Sequence, residues 1–298
     1  MEETALRRER KICSALGLML LAVLLCSVVW SFLMSGLYYM TNGAIPYVLY
    51  LALTLVGHYA LSLPLAFRMV RRVPRVEPAR RPAEPLALVR WIVIGLSLTW
   101  VGALVGVVVN QLIYLATGRV SSNDLDQIID MMPVGLVVLC VSVIAPVCEE
   151  IVFRYLLAGR LARYGQASAA FISALLFAAF HGNFSQFFLA FAAGLLLAYA
   201  YFRTGRLLVP VLIHMAVNFS NSGVALLLPP SDTAYALYGF VSLVITVAGI
   251  ALLICGRRDI RWDSGWRKPT LRAVFLNPGM VLIFAACFAE FAMTAFLY

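Results

Sequence analysis

Pro146-Val147-Cys148-Glu149-Glu150-Ile151-Val152-Phe153-Arg154 puts two carboxylates and a guanidinium inside a stretch that is otherwise apolar, from Met132 to Leu157. On insertion scales a charge at the centre of a membrane helix costs about 2.5–3.5 kcal/mol, so three left unpaired would cost on the order of 8 kcal/mol. Such residues mark functional sites. Glu150 and Arg154 are one helical turn apart and share a face, so they can pair. Glu149 lies about 100° round the axis and faces elsewhere. Arg154 is therefore expected to neutralise and orient Glu150, leaving Glu149 for another task. Pro146 lacks a backbone donor and is expected to kink the helix, opening a polar cavity beside the carboxylates.

The surrounding composition sets the solvent. Of 298 residues, 63% are hydrophobic and 12% charged, against about 25% charged in soluble domains. The expected class is all-α: a polytopic integral membrane helical bundle of eight or nine transmembrane helices. Continuous apolar runs exclude a β-barrel, whose strands alternate over about ten residues. The net charge of +9 does not indicate nucleic acid. The arginines fall in short inter-helix segments, as the positive-inside rule requires, and such a basic face favours the anionic lipid of the bilayer. The six cysteines show no paired spacing and read as small core residues rather than disulfides or a zinc cluster. Cys148 adjoins the acidic pair, but burial beside carboxylates keeps a thiol in its unreactive form.

In chain order, the charged segment 1–11 precedes an uncleaved first span, from Ile12 to about Met40. A second span runs from Ala44 to Phe67, and the Arg/Pro-rich segment Arg68–Pro85 reads as a linker. Span three covers Leu86–Leu115, with Asn110 and Gln111 read as interfacial. The acidic loop Thr117–Asp130, with Asp124, Asp126 and Asp130, belongs outside. Further spans are expected at Pro133–Leu157, Ala167–His181, Ser185–Phe202, Leu207–Leu228 and Tyr235–Cys255. The basic loop Arg257–Arg272 then leads to a ninth apolar segment, Ala273–Tyr298. Every Arg-rich segment falls on the side of the N-terminus, expected to be the inner face of a bacterial cytoplasmic membrane. The organisation reads as N-terminal helices over 1–129, a core over 130–228 and C-terminal helices over 229–298. Small residues at helical spacing (Ala170, Ala174, Ala178; Ala190, Gly194, Ala198) predict close helix approach within that core.

The chain has three histidines. His58 has no polar companion at helical spacing and reads as a hydrogen-bonded core residue. His181 ends the run Phe177-Ala178-Ala179-Phe180-His181. His214 opens His214-Met215-Ala216-Val217-Asn218, and His214 and Asn218 share a helix face. Measured from the basic turns, Glu149, His181 and His214 lie about 14, 21 and 12 Å deep, so they can converge near mid-membrane. Phe153 and Phe177 read as packing residues, and Glu290 in the last span carries no assigned role. Two chemistries suit this set: hydrolysis by activated water, or a proton or ion relay. A carboxylate taken out of water can act as general base, a histidine can polarise the water or coordinate a metal, and an amide can stabilise an oxyanion.

Glu-Glu-x-x-x-Arg, Phe-x-x-x-His and His-x-x-x-Asn, in this order on successive membrane helices, resemble the CPBP intramembrane proteases. That family includes the Ras-converting CAAX prenyl endopeptidases and bacterial bacteriocin-processing and immunity proteins. The resemblance covers about residues 130–225. It implies that Glu149 activates water, that His181 and His214 complete the site, and that Asn218 is the oxyanion donor. Glu150 and Arg154 would be structural support, with a secondary role for Asn183 and Gln186. A divalent metal, zinc, held by Glu149, His181 and His214 is one implied cofactor; a glutamate mechanism without metal needs the same residues. The helical His-Glu-x-x-His signature of zinc proteases is absent. The expected function is thus an intramembrane endopeptidase acting on a membrane-associated peptide or protein. A non-enzymatic immunity or scaffold protein of the same fold is the alternative, followed by a proton-coupled transporter, which usually shows internal repeats.

Overall fold

In hydrocarbon, backbone polar groups must be satisfied within the chain, and long apolar runs do so as helices. The computed structural model describes residues 2–119, 131–262 and 270–296, which contain helices and no strand. In chain order these are α1 (Glu2–Met40), α2 (Tyr47–Val56), α3 (Tyr59–Val70), α4 (Pro85–Thr117), α5 (Val134–Tyr164), α6 (Gln166–Ala179), α7 (Phe184–Thr204), α8 (Leu208–Leu227), α9 (Asp232–Cys255), α10 (Thr270–Phe275) and α11 (Pro278–Phe296). Eight of the resulting helices, with α2 and α3 counted as one, are long and apolar enough to cross a membrane; α6 is the shorter ninth. The protein is a multi-pass membrane protein of the expected helical class. The acidic loop at Asp124, Asp126 and Asp130 lies outside the described residues, as does 263–269 of the basic loop.

The centre of the bundle is formed where α7 packs between α4 and α6, with α8 crossing α4, α5 and α7. Small residues set these distances. A Cβ on Gly194 of α7 would lie 3.1 Å from Ala174 Cα of α6, and one on Gly102 of α4 would lie 2.5 Å from Leu189 Cα of α7. The first approach follows from the small-residue spacing in the sequence. The second was not anticipated there, and it makes α4 a full member of the core. Asn110 of α4, expected at the interface, donates from Nδ2 to Ser185 Oγ at 2.8 Å and so joins α4 to the start of α7. On the other side, α1 packs on α3 and α11.

Helix α5 is continuous across Pro146 but not uniform. Two π-helical stretches, Val138–Ile144 and Ile151–Ala158, flank the α-helical turn Ala145–Glu150. Pro146 cannot donate to the carbonyl one turn back, and its ring crowds that carbonyl. A wider preceding turn accommodates both effects without breaking the helix. π-Helical turns inside α-helices are frequent at functional sites, and here they bracket the two glutamates.

Helix α6 has 14 residues and is about 21 Å long, short of the ~30 Å hydrocarbon core. The turn at 180–183 therefore falls at membrane depth, where backbone must be paired or line a cavity. Phe180, His181 and Gly182 N–H bond back to Leu176, Ala178 and Ala179 O, while Asn183 Nδ2 donates to His181 O at 2.8 Å and its Oδ1 accepts from Gln186 N at 2.9 Å as the cap of α7. Thr294 Oγ1 of α11 donates to Gly182 O at 2.9 Å. Gly182 has φ +64°, and a Cβ there would meet Glu290 Oε2 at 3.1 Å. Glu290, which the sequence leaves without a role, thus packs against the turn that carries His181.

The Arg68–Pro85 segment is only partly a linker. After α3 ends, residues 71–84 run as a strap across the basic ends of the bundle. Val76 N donates to Gly159 O at 2.8 Å and Arg81 N to Thr204 O at 2.9 Å. Arg160 clasps the start of the strap: Nε donates to Val70 O and Val73 O at 3.3 and 3.2 Å, and Nη1 to Tyr155 O and Leu156 O at 3.3 and 3.1 Å. Prolines cannot pair as a strand, but the residues between them can donate to helix-end carbonyls that lack partners.

The close approach at Gly102 can be tested directly. Gly102→Leu should destabilise the purified protein by about 1–3 kcal/mol through overpacking. Gly239→Ala, where an added Cβ meets nothing within 4 Å, should leave thermal unfolding in detergent unchanged or slightly raised.

Candidate active site

The site is built on α5 and α8, with α6 and the α2–α3 junction closing it. Arg154 Nε lies 2.9 Å from Glu150 Oε2, and neither side chain has exposed surface. The contact is a charge pair rather than an aligned hydrogen bond, since the guanidinium nitrogens and Glu150 Oε2 have no aligned partner. The guanidinium instead lies over the Phe177 ring, 4.9 Å from its centroid, where cation–π attraction adds to the ion pair. The face shared by Glu150 and Arg154 in sequence is thus shared in space.

Glu150 does more than pair with Arg154. Its Oε1 lies 3.0 Å from His214 Nδ1. A carboxylate accepts, so Nδ1–H donates, and Nε2 is turned away from that bond. That Nε2 faces Glu149 Oε2 at 3.7 Å, beyond direct hydrogen-bond distance, so the two atoms form a pair of polar groups side by side in the cavity wall. Glu149, expected to face away from Glu150, does so: its side chain keeps 22% of its surface exposed against none for Glu150.

His181 Nδ1 lies 2.8 Å from Phe177 O. A carbonyl can only accept, so this histidine also turns its Nε2 lone pair away from the bond. The Phe177 ring stands edge-on to both imidazoles, 5.0 Å from His181 and 5.7 Å from His214 by centroid. Phe177, read from sequence as packing, is therefore the partition that sets Arg154, His181 and His214 about one ring. Asn218 Nδ2 donates to Val141 O at 3.0 Å, in the first π-helical stretch of α5. That leaves its second amide proton for the cavity.

Glu149, His181, His214 and Asn218 all line one cavity of about 550 Å³, within the usual ~300–1,000 Å³ of ligand sites. Gln186, Asn221 and Ser222 add polar groups to its wall, while Val141, Leu196 and Ile213 supply apolar ones. Beyond Glu149, a second cavity of about 200 Å³ is bounded by Ser27, His58, Tyr59, Glu149 and His181. The wall between the two cavities contains Tyr59, Glu149, Phe177 and His181.

Tyr59 is the residue that sequence reading missed. Its hydroxyl donates to Glu149 Oε1 at 3.4 Å, and His58 stacks on its ring at 4.0 Å between centroids. It reaches the site because the span is interrupted at Gly57-His58. Trp30 Nε1 of α1 donates to Leu53 O at 2.8 Å, the carbonyl that also receives Gly57 N. A side chain inserted into the helical ladder loosens it locally. The signal available in sequence was Gly57-His58-Tyr59 as a polar interruption of an apolar span. His58 lines the smaller cavity rather than sitting in a packed core.

Whether these residues hold a metal is a question of convergence. His181 and His214 both turn Nε2 away from their Nδ1 bonds, as ligands would, yet no three His, Cys, Asp or Glu side chains among the described residues gather closely enough to bind one ion. All six cysteines are unpaired thiols, and Cys148 is buried beside Glu149. The arrangement as it stands does not fit a three-ligand centre.

Comparison with known proteins bears on the same segment. The family model for type II CAAX prenyl endopeptidase Rce1-like proteins matches residues 132–220, which hold Glu149, Glu150, Arg154, His181, His214 and Asn218. The membrane-embedded CAAX protease MroQ of Staphylococcus aureus (strain USA300) is 31% identical over 179 residues, covering 57% of this chain and 71% of that protein. The "Putative membrane peptidase YdiL" of Bacillus subtilis (strain 168) is 33% identical over 105 residues, covering 34% of this chain and 42% of that protein. No solved structure matches. Because the similarity to a membrane-embedded CAAX protease extends well beyond the motif helices, and the motif helices match the family model, this chain belongs to the Rce1-like CAAX protease family.

Proposed function

We propose that the protein is an intramembrane endopeptidase that hydrolyses a peptide bond in a membrane-associated polypeptide, with water activated by Glu149. The observation that carries this reading is the 3.7 Å gap between Glu149 Oε2 and His214 Nε2, in the wall of a cavity that also presents an amide. A water on the cavity side of these two atoms would donate to both and keep a lone pair for the substrate.

Glu149 takes one proton as the water oxygen attacks the carbonyl carbon, and the carbonyl electrons move onto oxygen. The free amide proton of Asn218 donates to that oxyanion, the type of contact that contributes most to many hydrolyses. Collapse of the intermediate breaks the C–N bond, and Glu149 returns its proton to the leaving nitrogen. His214 orients the water, its tautomer held by Glu150 in the manner of a carboxylate behind a histidine. His181 offers a second lone pair at the rim, and Tyr59 holds Glu149 in its rotamer. Arg154 holds Glu150 in place by charge pairing.

The zinc alternative would need Glu149, His181 and His214 to draw together on one ion, which would act as Lewis acid towards the water. The route through the protein's own groups needs no such movement and is the one proposed. The N-terminus is assigned to the cytoplasmic side, because the described basic segments share its face of the bundle.

Four outcomes test this reading. Glu149→Gln should lower cleavage of a membrane-peptide library, read by mass spectrometry, by about 10²–10⁴-fold without lowering the melting temperature. Equal cleavage by both proteins would remove Glu149 from its role. Wild-type protein should keep its activity through chelation, whereas loss restored by zinc would assign the metal mechanism. Tyr59→Phe should cost about fivefold in activity, the worth of one modest hydrogen bond, with the fold intact. Arg154→Leu should destabilise by about 3–5 kcal/mol through an orphaned buried carboxylate, and Glu150→Leu added to it should recover part of that loss. If no peptide is cleaved while a partner protein binds equally to wild type and Glu149→Gln, the scaffold alternative replaces the enzyme.

A further inference from the structure

We propose that the cavity beneath the 71–84 strap is a binding site for a phosphate oxyanion, supplied by the headgroup of an anionic lipid. The inference is independent of the proteolytic reading. The strap is tied to α5 at Gly159 and to α7 at Thr204, and it borders a half-open cavity of about 470 Å³ between these helix ends. Three arginines border that space, Arg75, Arg80 and Arg206, with one acidic residue, Glu77.

Arg75 is prepared for an anion. Its Cζ lies 3.9 Å over the Tyr155 ring, its Nη1 is 3.5 Å from Tyr201 Oη, and its side chain is 19% exposed. Both tyrosines also line the cavity. A guanidinium fixed by stacking loses little further rotamer freedom on binding, and its planar fork matches phosphate oxygens. Its present partner is the carboxylate of Glu77, two residues along the strap and 71% exposed at the side chain. The oxyanion position on Arg75 is therefore accessible from the mouth, and it is held by a group that can swing into solvent.

The surroundings favour a lipid source. Leu208, which also lines the cavity, opens α8 with 64% of its surface exposed. An acyl chain attached to a bound phosphate would run along this apolar helix, whereas a soluble phosphate would leave it bare. The back of the strap is firm: a Cβ on Gly205, at φ +63°, would meet Pro78 O and Ala79 O at 2.7 Å. Basic pockets between helices on the positively charged face are suited to acidic headgroups.

The test uses the full chain in neutral detergent and reads ligand retention by native mass spectrometry and thermal unfolding. Phosphatidylglycerol, phosphatidylcholine and inorganic phosphate are titrated separately into wild type, Arg75→Gln, Arg80→Gln/Arg206→Gln and Glu77→Gln. Expected is saturable binding of phosphatidylglycerol that exceeds phosphatidylcholine and weakens about fivefold per guanidinium removed. Glu77→Gln should bind more tightly, because the competing carboxylate is gone; a merely structural ion pair would not produce that sign. Saturation by inorganic phosphate over the same concentration range would overturn the lipid source in favour of a soluble phosphate. Equal binding by wild type and Arg80→Gln/Arg206→Gln, or no binding by wild type, would overturn the site. Arg80 and Arg206 are exposed, so that variant decides the matter even if Arg75→Gln fails to fold.

Discussion

A carboxylate with no exposed surface at membrane depth is the constraint around which this protein is arranged. Burial of Glu150 is tolerated only where opposite charge and hydrogen-bond donors reach it, because the penalty for an unpaired buried charge is several kcal/mol. Arg154 supplies the charge and His214 supplies the donor. Each requirement has a consequence elsewhere. Arg154 must itself be accommodated, which places Phe177 against its guanidinium and so brings α6 onto α5. His214 must reach across from α8, and in donating a hydrogen bond from Nδ1 to Glu150 it turns Nε2 towards Glu149. The buried pair thereby determines both a helix–helix contact and the protonation geometry of the site.

Backbone satisfaction is the second organising demand, and it explains residues that charge does not. The α6–α7 turn can sit inside the membrane because Asn183 and Thr294 answer its amide and carbonyl groups. The strap can cross the basic face because its free N–H groups find helix-end carbonyls at Gly159 and Thr204. The π-helical stretches of α5 solve a related problem around Pro146, keeping the helix intact where an ordinary turn would clash. In each case irregular backbone lies next to a cavity, as expected where lipid cannot hydrate it.

These two demands leave a site that is polar on one wall and apolar on the other. Val141, Leu196 and Ile213 form the apolar wall, and Glu149, His214 and Asn218 the polar one. Membership of the CAAX protease family makes membrane-embedded proteolysis the activity of its relatives at family level. The smaller cavity behind Glu149 adjoins the same carboxylate from the α1–α3 side, so the N-terminal helices contribute directly to the environment of Glu149.

Much of this was legible in the residues themselves. Hydropathy over spans of twenty residues or more dictated a helical membrane bundle, since hydrocarbon permits few other folds. The four-residue spacing of Glu150 and Arg154 dictated their pairing, since a helix repeats every 3.6 residues. That Glu149 faces away from Glu150 followed from the same geometry, and the Ala/Gly spacing of α6 and α7 predicted their close approach. What only the tertiary structure decided was every contact between helices distant in sequence. That Tyr59 donates to Glu149, that Glu150 holds His214 as well as Arg154, that Glu290 rests on the Gly182 turn and that the Arg/Pro strap is docked all depend on relative helix position. Periodicity reports which face of a helix is apolar. It does not report which neighbour that face meets, because many partners satisfy the same apolar stripe and the choice among them is made by small-residue fit and by the pairing of a few buried polar groups.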